Sequence, residues 1–158
     1  MLELRPEPPD GAPSRALWAE YMADVAARLG PGFRPTEAIF ATEDAFGAPG
    51  GAWLVGYEDG RAVCCGGLRP LPDADDACEL KRMFVTAPAR GRGHGRTLLA
   101  ALERLAVERG RPRVRLFTTE ALVEARALYE AAGYAVTETV RDGDRTDLWL
   151  EKTLPRSR

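Results

Sequence analysis

The order of apolar periodicities along the chain predicts an α/β protein of the α+β kind, a mixed and mostly antiparallel central sheet of six or seven strands with helices on both faces. Three observations carry this. Strand-compatible and helical runs follow one another as β-α-(α)-β-β-β-α-β-α-β-β. The strand-helix-strand succession between Leu80 and Phe117 implies a right-handed parallel crossover. Turn signals on either side, Glu58-Asp-Gly60 and Arg141-Asp-Gly-Asp144, mark hairpins, so antiparallel pairing has to coexist with the parallel pair.

A first strand is expected at Leu2–Leu4, ended by Pro6, Pro8 and Pro9. From Ser14 to Leu29 the residues Leu17, Tyr21, Met22, Val25 and Leu29 recur at helical spacing, with Ser14 as N-cap and Gly30-Pro31 as the stop. A second short helix is expected near Thr36 to Asp44, then a loop from Gly47 to Gly51. Ala52–Tyr57 and Arg61–Leu68 form the first hairpin, and Pro70–Asp76 is a proline- and aspartate-rich link. A strand from Leu80 to Val85 leads into a helix that runs from near Gly95 to Arg109, stopped by Gly110. Arg113–Phe117 is strand-like, and a helix from about Ala121 to Ala132 ends at Gly133. Tyr134–Val140 and Asp147–Leu154 close the sheet, and residues 155–158 are expected to fray.

With 158 residues, 45% hydrophobic and 29% charged, the chain has the makings of one ordinary globular domain spanning residues 1–158. Its net charge of −2 offers no general attraction to nucleic acid or an anionic membrane, so neither is expected as a partner. No apolar run approaches the length of about 18 residues needed to span a bilayer. The start, Met-Leu-Glu-Leu-Arg-Pro, lacks the basic and apolar regions of a signal peptide. Cys64, Cys65 and Cys78 are odd in number and lack CxxC spacing, which argues against a disulfide framework or a zinc site. A cytoplasmic protein with reduced thiols is expected.

The stretch from Glu79 to Leu99 organises the rest. Pro88 ends the strand, and Gly91, Gly93 and Gly95 then occupy every second position. Leu98, Leu99, Leu102 and Leu105 follow at helical spacing. A glycine-rich turn feeding a helix N-terminus presents unpaired N–H groups at the positive end of the helix dipole, which suits a phosphate.

Here the residues resemble a known family. Arg90-Gly-Arg-Gly-His-Gly95 fits the acyl-CoA loop pattern [QR]-x-x-G-x-[GA] of the GCN5-related N-acetyltransferases (GNATs), and Glu79–Val85 resembles that family's fourth strand. Ala125-Arg-Ala-Leu-Tyr-Glu-Ala-Ala-Gly-Tyr134 is similar to its late A-x-x-L-Y-x-x-x-G-[FY] helix. The blocks stand in the family's order, and the likeness covers most of the chain from Ala52 onward. It implies the GNAT-like acyl-CoA acyltransferase fold. It also implies direct transfer of an acetyl group from acetyl-CoA, a co-substrate, to a primary amine of a small molecule or peptide, in a ternary complex with no metal.

The resemblance then distributes roles. The backbone from Gly91 through Arg92, Gly93, His94 and Gly95 to Arg96 would hold the pyrophosphate, with Arg90, Arg92 or Arg96 able to add a side-chain contact. The backbone of Met83, Phe84 and Val85 would accept the pantetheine arm like an added strand, on an edge that a β-bulge leaves open. Tyr129 stands at the general-acid position for the leaving thiolate, and the plain alternative is the amphipathic edge of a core-facing helix. Glu79 matches a carboxylate that takes the amine's proton directly or through water, and it is expected to share a face with Lys81, Met83 and Val85. The plain alternative is a surface glutamate paired with Lys81 or Arg82.

Other residues count for less. His94, the only histidine, lies inside the turn, where its backbone is the useful part. The cysteines suit small buried hydrophobes. Thr119 stands where the family often has asparagine; here an N-cap would suffice. Arg104, Arg109, Arg111, Arg113 and Arg115 have no interleaved aromatics, which disfavours a nucleic-acid patch. A CoA-binding sensor without turnover is the rival reading, and the presence of both Tyr129 and Glu79 favours an enzyme. The acceptor pocket would draw on Trp18, Tyr21, Met22, Phe33, Arg34 and the loop from Arg141 to Asp147. Monomer and homodimer are both open.

Overall fold

The computed structural model describes residues 1–32, 44–47 and 49–156. Its strands are β1 (Glu3–Pro6), β2 (Ala52–Glu58), β3 (Arg61–Pro70), β4 (Ala77–Val85), β5 (Arg113–Thr119), β6 (Ala135–Asp142) and β7 (Arg145–Thr153). They form a seven-stranded sheet in the order β1-β2-β3-β4-β5-β7-β6. Only β4 and β5 run parallel, so the mixed, mostly antiparallel sheet expected from the sequence is the one observed. The helices are α1 (Ala12–Leu29), the single turn α2 (Asp44–Gly47), α3 (His94–Glu108) and α4 (Val123–Ala131). Most of the segment assigned to a helix near Thr36 to Asp44 lies outside the described residues, as do Phe33 and Arg34.

Two apolar clusters lie on opposite faces of the sheet. Leu98, Leu99 and Leu102 of α3 pack with Leu80, Val114, Leu116 and Leu150. Leu17 of α1 and Phe46 of α2 pack with Trp53, Val55, Cys65 and Phe84. The leucine stripe of α3 therefore does what its helical spacing predicts. Cys64, Cys65 and Cys78 are buried free thiols. Among the central arginines, Arg111 donates to the carbonyls of Leu71, Ala74 and Ala77 at 3.3, 2.9 and 2.7 Å, and Arg113 pairs with Asp76 and Glu151. No helix among the described residues is long and apolar enough to cross a membrane.

Three local expectations are corrected. β1 does not stop at Leu4 but runs on to include Pro6, which pairs with Leu54, as an outermost strand allows because the missing N–H is not needed there. Ser14 does not cap α1: the helix starts at Ala12 after Gly11, with proline in its first turn, where the absent N–H costs nothing. Ser14 is instead buried, donating to the Pro8 carbonyl at 3.0 Å and accepting from Trp53 Nε1 at 2.9 Å. Thr119 belongs to β5, and its hydroxyl donates to the Thr146 carbonyl and accepts no N–H from the start of α4, whose N-cap is Leu122.

Candidate active site

The site begins where the sheet divides. β4 and β5 pair from Ala77↔Arg113 to Leu80↔Leu116 and no further. Beyond Leu116, β5 continues beside β7, its one strand neighbour there among the described residues, through Phe117↔Trp149 to Thr119↔Asp147. β4 keeps β3 beside it to Val85, and on its other side Met83–Val85 have no ladder partner among the described residues. Within β4, Arg82 and Met83 together oppose Gly66, a β-bulge that leaves Arg82 at φ 58°. Gly66 has no room for a side chain, since a Cβ there would stand 2.7 Å from Met83 Sδ.

The bulge also changes which residues share a face. Cys78 and Leu80 pack in the α3-side core, and after the bulge so do Met83 and Val85, while Phe84 packs with α1. Glu79 therefore does not share a face with Met83 and Val85, as strict alternation predicts; the extra residue inverts the parity.

At the division lies a cavity of about 520 Å³. Residues 79–85 of β4, Arg90, Gly91, residues 93–96, Leu128 and Tyr129 all line it, together with Trp18 and Tyr21 of α1 and Arg145 of β7. Every residue singled out for catalysis or cofactor binding lines this cavity except Arg92, and of the described acceptor-pocket candidates Trp18, Tyr21 and Arg145 line it whereas Met22 does not.

The glycine turn is held by backbone form. Gly91 and Gly93 have φ of 82° and 81°, the left-handed region, and a Cβ on either would meet nothing within 4 Å. At Gly95 the reason is packing: a Cβ would lie 3.3 Å from Leu128 Cδ2. α3 starts at His94, with Gly93 as its N-cap, so its first N–H groups lack intrahelical acceptors beside the cavity. The three arginines part ways. Arg90 donates from Nε to the Val85 carbonyl at 3.0 Å and pairs with Asp24 of α1 at 3.3 Å. Arg92 pairs with Glu58 at 2.7 Å. Arg96 is exposed, lines the cavity and has no ion pair among the described residues.

Glu79 is not a surface residue. It is 3% exposed, receives Arg69 Nε at 2.6 Å, and has Lys81 Nζ at 3.9 Å. Burial pulls the Lys81 ammonium below its ordinary range, against the pull of Glu79. Tyr129, in the last turns of α4, is 6% exposed and meets Tyr134 edge-on with centroids 6.0 Å apart. Burial, aided by the nearby Tyr21 phenol, pushes the Tyr129 hydroxyl well above the usual range. Burial raises Tyr21 itself to about 12.

Sequence reasoning missed the partners. Arg69 is Glu79's neighbour across the β3–β4 pair, a relation that follows from hairpin register once the strand ends are known. Asp24 and Arg28 of α1 carry no signal of their own. Asp24 bridges Arg28 and Arg90, and Arg28 also pairs with Glu124 of α4, so ion pairs span the cavity from α1 to α4.

Comparison with known proteins follows the same lines. The model of the Acetyltransferase (GNAT) family matches residues 16–134. The uncharacterized N-acetyltransferase YjgM of Escherichia coli K12 is 41% identical over 91 residues, which are 56% of this chain and 54% of that protein. The aligned stretch thus spans about half the length of this curated relative. A provisionally named acyl-CoA N-acyltransferase from Klebsiella pneumoniae superposes with a TM-score of 0.75 at 27% identity, covering 98% of each chain. A provisionally named acetyltransferase, yncA of Salmonella typhimurium, solved with acetyl-CoA as its cofactor, superposes with a TM-score of 0.70 over 100% of this chain and 96% of its own. At 17% identity that second likeness is one of fold.

Proposed function

Because the chain belongs to the GNAT family of acetyltransferases, we propose that it moves the acetyl group of acetyl-CoA directly to a primary amine of a small molecule or peptide. The observation that carries this reading is the side of β4 left open at Met83–Val85 among the described residues, which shares one cavity with the glycine turn and Tyr129. An unpaired strand edge suits a ligand arm with two amides, and left-handed glycines before a helix suit its phosphates. The residues present therefore fit acetyl-CoA, whose part is to supply an activated thioester.

In this reading the backbone of Met83, Phe84 and Val85 aligns the pantetheine arm, and the N–H groups from Gly91 to Arg96 hold the pyrophosphate. Of the three arginines, Arg96 is the one available for a phosphate. Arg90 works indirectly, tying the end of β4 to α1. Tyr129 holds a proton on its hydroxyl for the departing sulfur. Glu79, approached from the α1 face of the sheet, receives the proton that the amine gives up. The bond formed is C–N, the bond broken is C–S, and one proton passes to the protein for each delivered to the thiol.

Calorimetric titration with acetyl-CoA, followed by thiol release across a panel of amines, tests the reading. Binding with turnover on at least one amine is expected. Tight binding with no turnover on any would instead favour the sensor, and absence of binding would remove both.

A further inference from the structure

The donor turn raises a physical question that its glycines do not answer. Gly91, Arg92 and Gly93 are exposed, and a Cβ built on either glycine would meet nothing within 4 Å among the described residues. A turn with two left-handed glycines is among the costliest pieces of backbone to order. Something outside it has to hold its shape if it is to meet phosphates ready-formed.

Arg92 donates to the Pro88 carbonyl at 3.5 Å and the Thr97 hydroxyl to the Gly93 carbonyl at 3.1 Å, both local contacts, and one carboxylate reaches the turn from β2. Glu58 is the last residue of β2, and the Asp59-Gly60 turn after it has positive φ at both residues, 52° and 78°, the form that closes a tight hairpin. Its backbone is thereby fixed, and its side chain is only 16% exposed. Glu58 Oε1 lies 2.7 Å from an Arg92 guanidinium nitrogen, and Oε2 lies 2.8 Å from His94 Nε2. Since a carboxylate only accepts, Nε2 is the nitrogen that carries the hydrogen. The two partners flank Gly93, the left-handed N-cap of α3, so a single group clamps the turn on both sides of its most permissive residue. His94, buried at 8% exposure, lines the cavity with its Nε2 held by Glu58.

Resting on the acetyl-CoA reading of the site, we infer that Glu58 is a positioning residue for the donor turn, acting through Arg92 and His94 to pre-form the phosphate nest. Two effects oppose each other here, and they predict different signs. A carboxylate near a phosphate site repels it, so on electrostatics alone its removal tightens acetyl-CoA binding. Pre-organisation predicts the reverse, because the loosened turn has to be ordered on binding. Neither Glu58 nor Arg92 lines the cavity, whereas Gly91, Gly93 and His94 do, so distance weakens the first effect and leaves the second in control.

The test uses Glu58→Ala and Glu58→Gln in the full chain. Amide hydrogen exchange of residues 90–96 in the ligand-free protein and calorimetric affinity for acetyl-CoA are the two readouts. Glu58→Ala is expected to speed exchange at 91–95 and weaken acetyl-CoA binding, each about tenfold. KM for acetyl-CoA should follow, while KM for the amine holds. Glu58→Gln keeps an acceptor oxygen for His94 and should fall between. Unchanged exchange, or acetyl-CoA binding as tight as or tighter than wild type in Glu58→Ala, overturns the assignment and leaves the acetyltransferase reading intact. Failure of the wild-type protein to bind acetyl-CoA would overturn that underlying reading, and this assignment with it.

Discussion

At the scale of single residues, the proton inventory decides what the site can do. Tyr129 is a phenol whose burial raises it above its ordinary value, so it keeps its proton to higher pH than a free tyrosine. As a donor it is therefore available throughout the neutral range. The pH dependence of kcat should rise as the acceptor amine loses its proton and should show no falling limb from Tyr129 below about pH 10. Tyr129→Phe removes the hydroxyl and almost no volume. It should lower turnover on the order of a hundredfold while acetyl-CoA affinity stays within about twofold; intact turnover would assign the proton to another group. Glu79 presents the opposite problem, because a carboxylate held by Arg69 at 2.6 Å has already spent one oxygen on an ion pair. Glu79→Gln keeps the hydrogen-bonding shape and loses the basicity. If Glu79 receives the amine's proton, kcat should fall about tenfold or more at neutral pH and recover towards high pH, where the amine arrives neutral.

Elements place these residues, and here glycines at close approaches or positive φ are the sensitive points. Gly93→Val puts a β-branched residue at φ 81° where nothing crowds the side chain, so the damage is local strain of about 1–3 kcal/mol. Acetyl-CoA affinity should fall at least about tenfold while the protein stays folded, as calorimetry and a melting curve together would show. Gly66→Ala is a different case, with the new Cβ 2.7 Å from Met83 Sδ and 3.1 Å from Leu102 Cδ1. Displacing Met83 disturbs the core-facing side of the bulge, and a loss of about 1–3 kcal/mol in stability is expected from denaturant titration. The glycine turn and the α3 stripe were legible in the sequence because both are local patterns of a few residues. The bulge was not legible from periodicity: one inserted residue leaves the composition of β4 unchanged and shows only as Gly66 facing two partners. Resemblance supplied it, yet the shared face assigned to Glu79 and Met83 ignored its effect on parity. Buried ion pairs were the least legible. Glu79 sits in a charged run and looks like a surface residue until its neighbour across the sheet is known, and Glu58 meets His94 only through the packing of separate elements.

Across the whole molecule, the sheet carries a core on each face, and three thiols report on both. Cys64 and Cys78 lie in the α3-side core and Cys65 in the α1-side core. Burial pushes Cys64 up to about 11 and Cys78 up to about 12, and raises Cys65 further. A group whose folded pKa lies above its unfolded value adds stability that is fully present below the unfolded value. That contribution is lost as pH rises through the folded one. Unfolded thiols titrate near 8.5, so the melting temperature should hold from about pH 7 to pH 8.5 and then fall steadily from about pH 9 to pH 11. The raised phenols of Tyr21 and Tyr57 push in the same direction, whereas Lys81, lowered by burial, works against it as a single group. A melting temperature unchanged to pH 11 would contradict this. The same thiols also test whether the two cores open together. At pH 8 the native protein should react with a thiol reagent only as fast as it unfolds, and all three cysteines should share one rate, because the strands that carry them, β3 and β4, are paired along most of their length. A faster, separate reaction at Cys65 would mean that the α1 face opens alone. That is the motion an acceptor would need in order to reach Glu79 from that side.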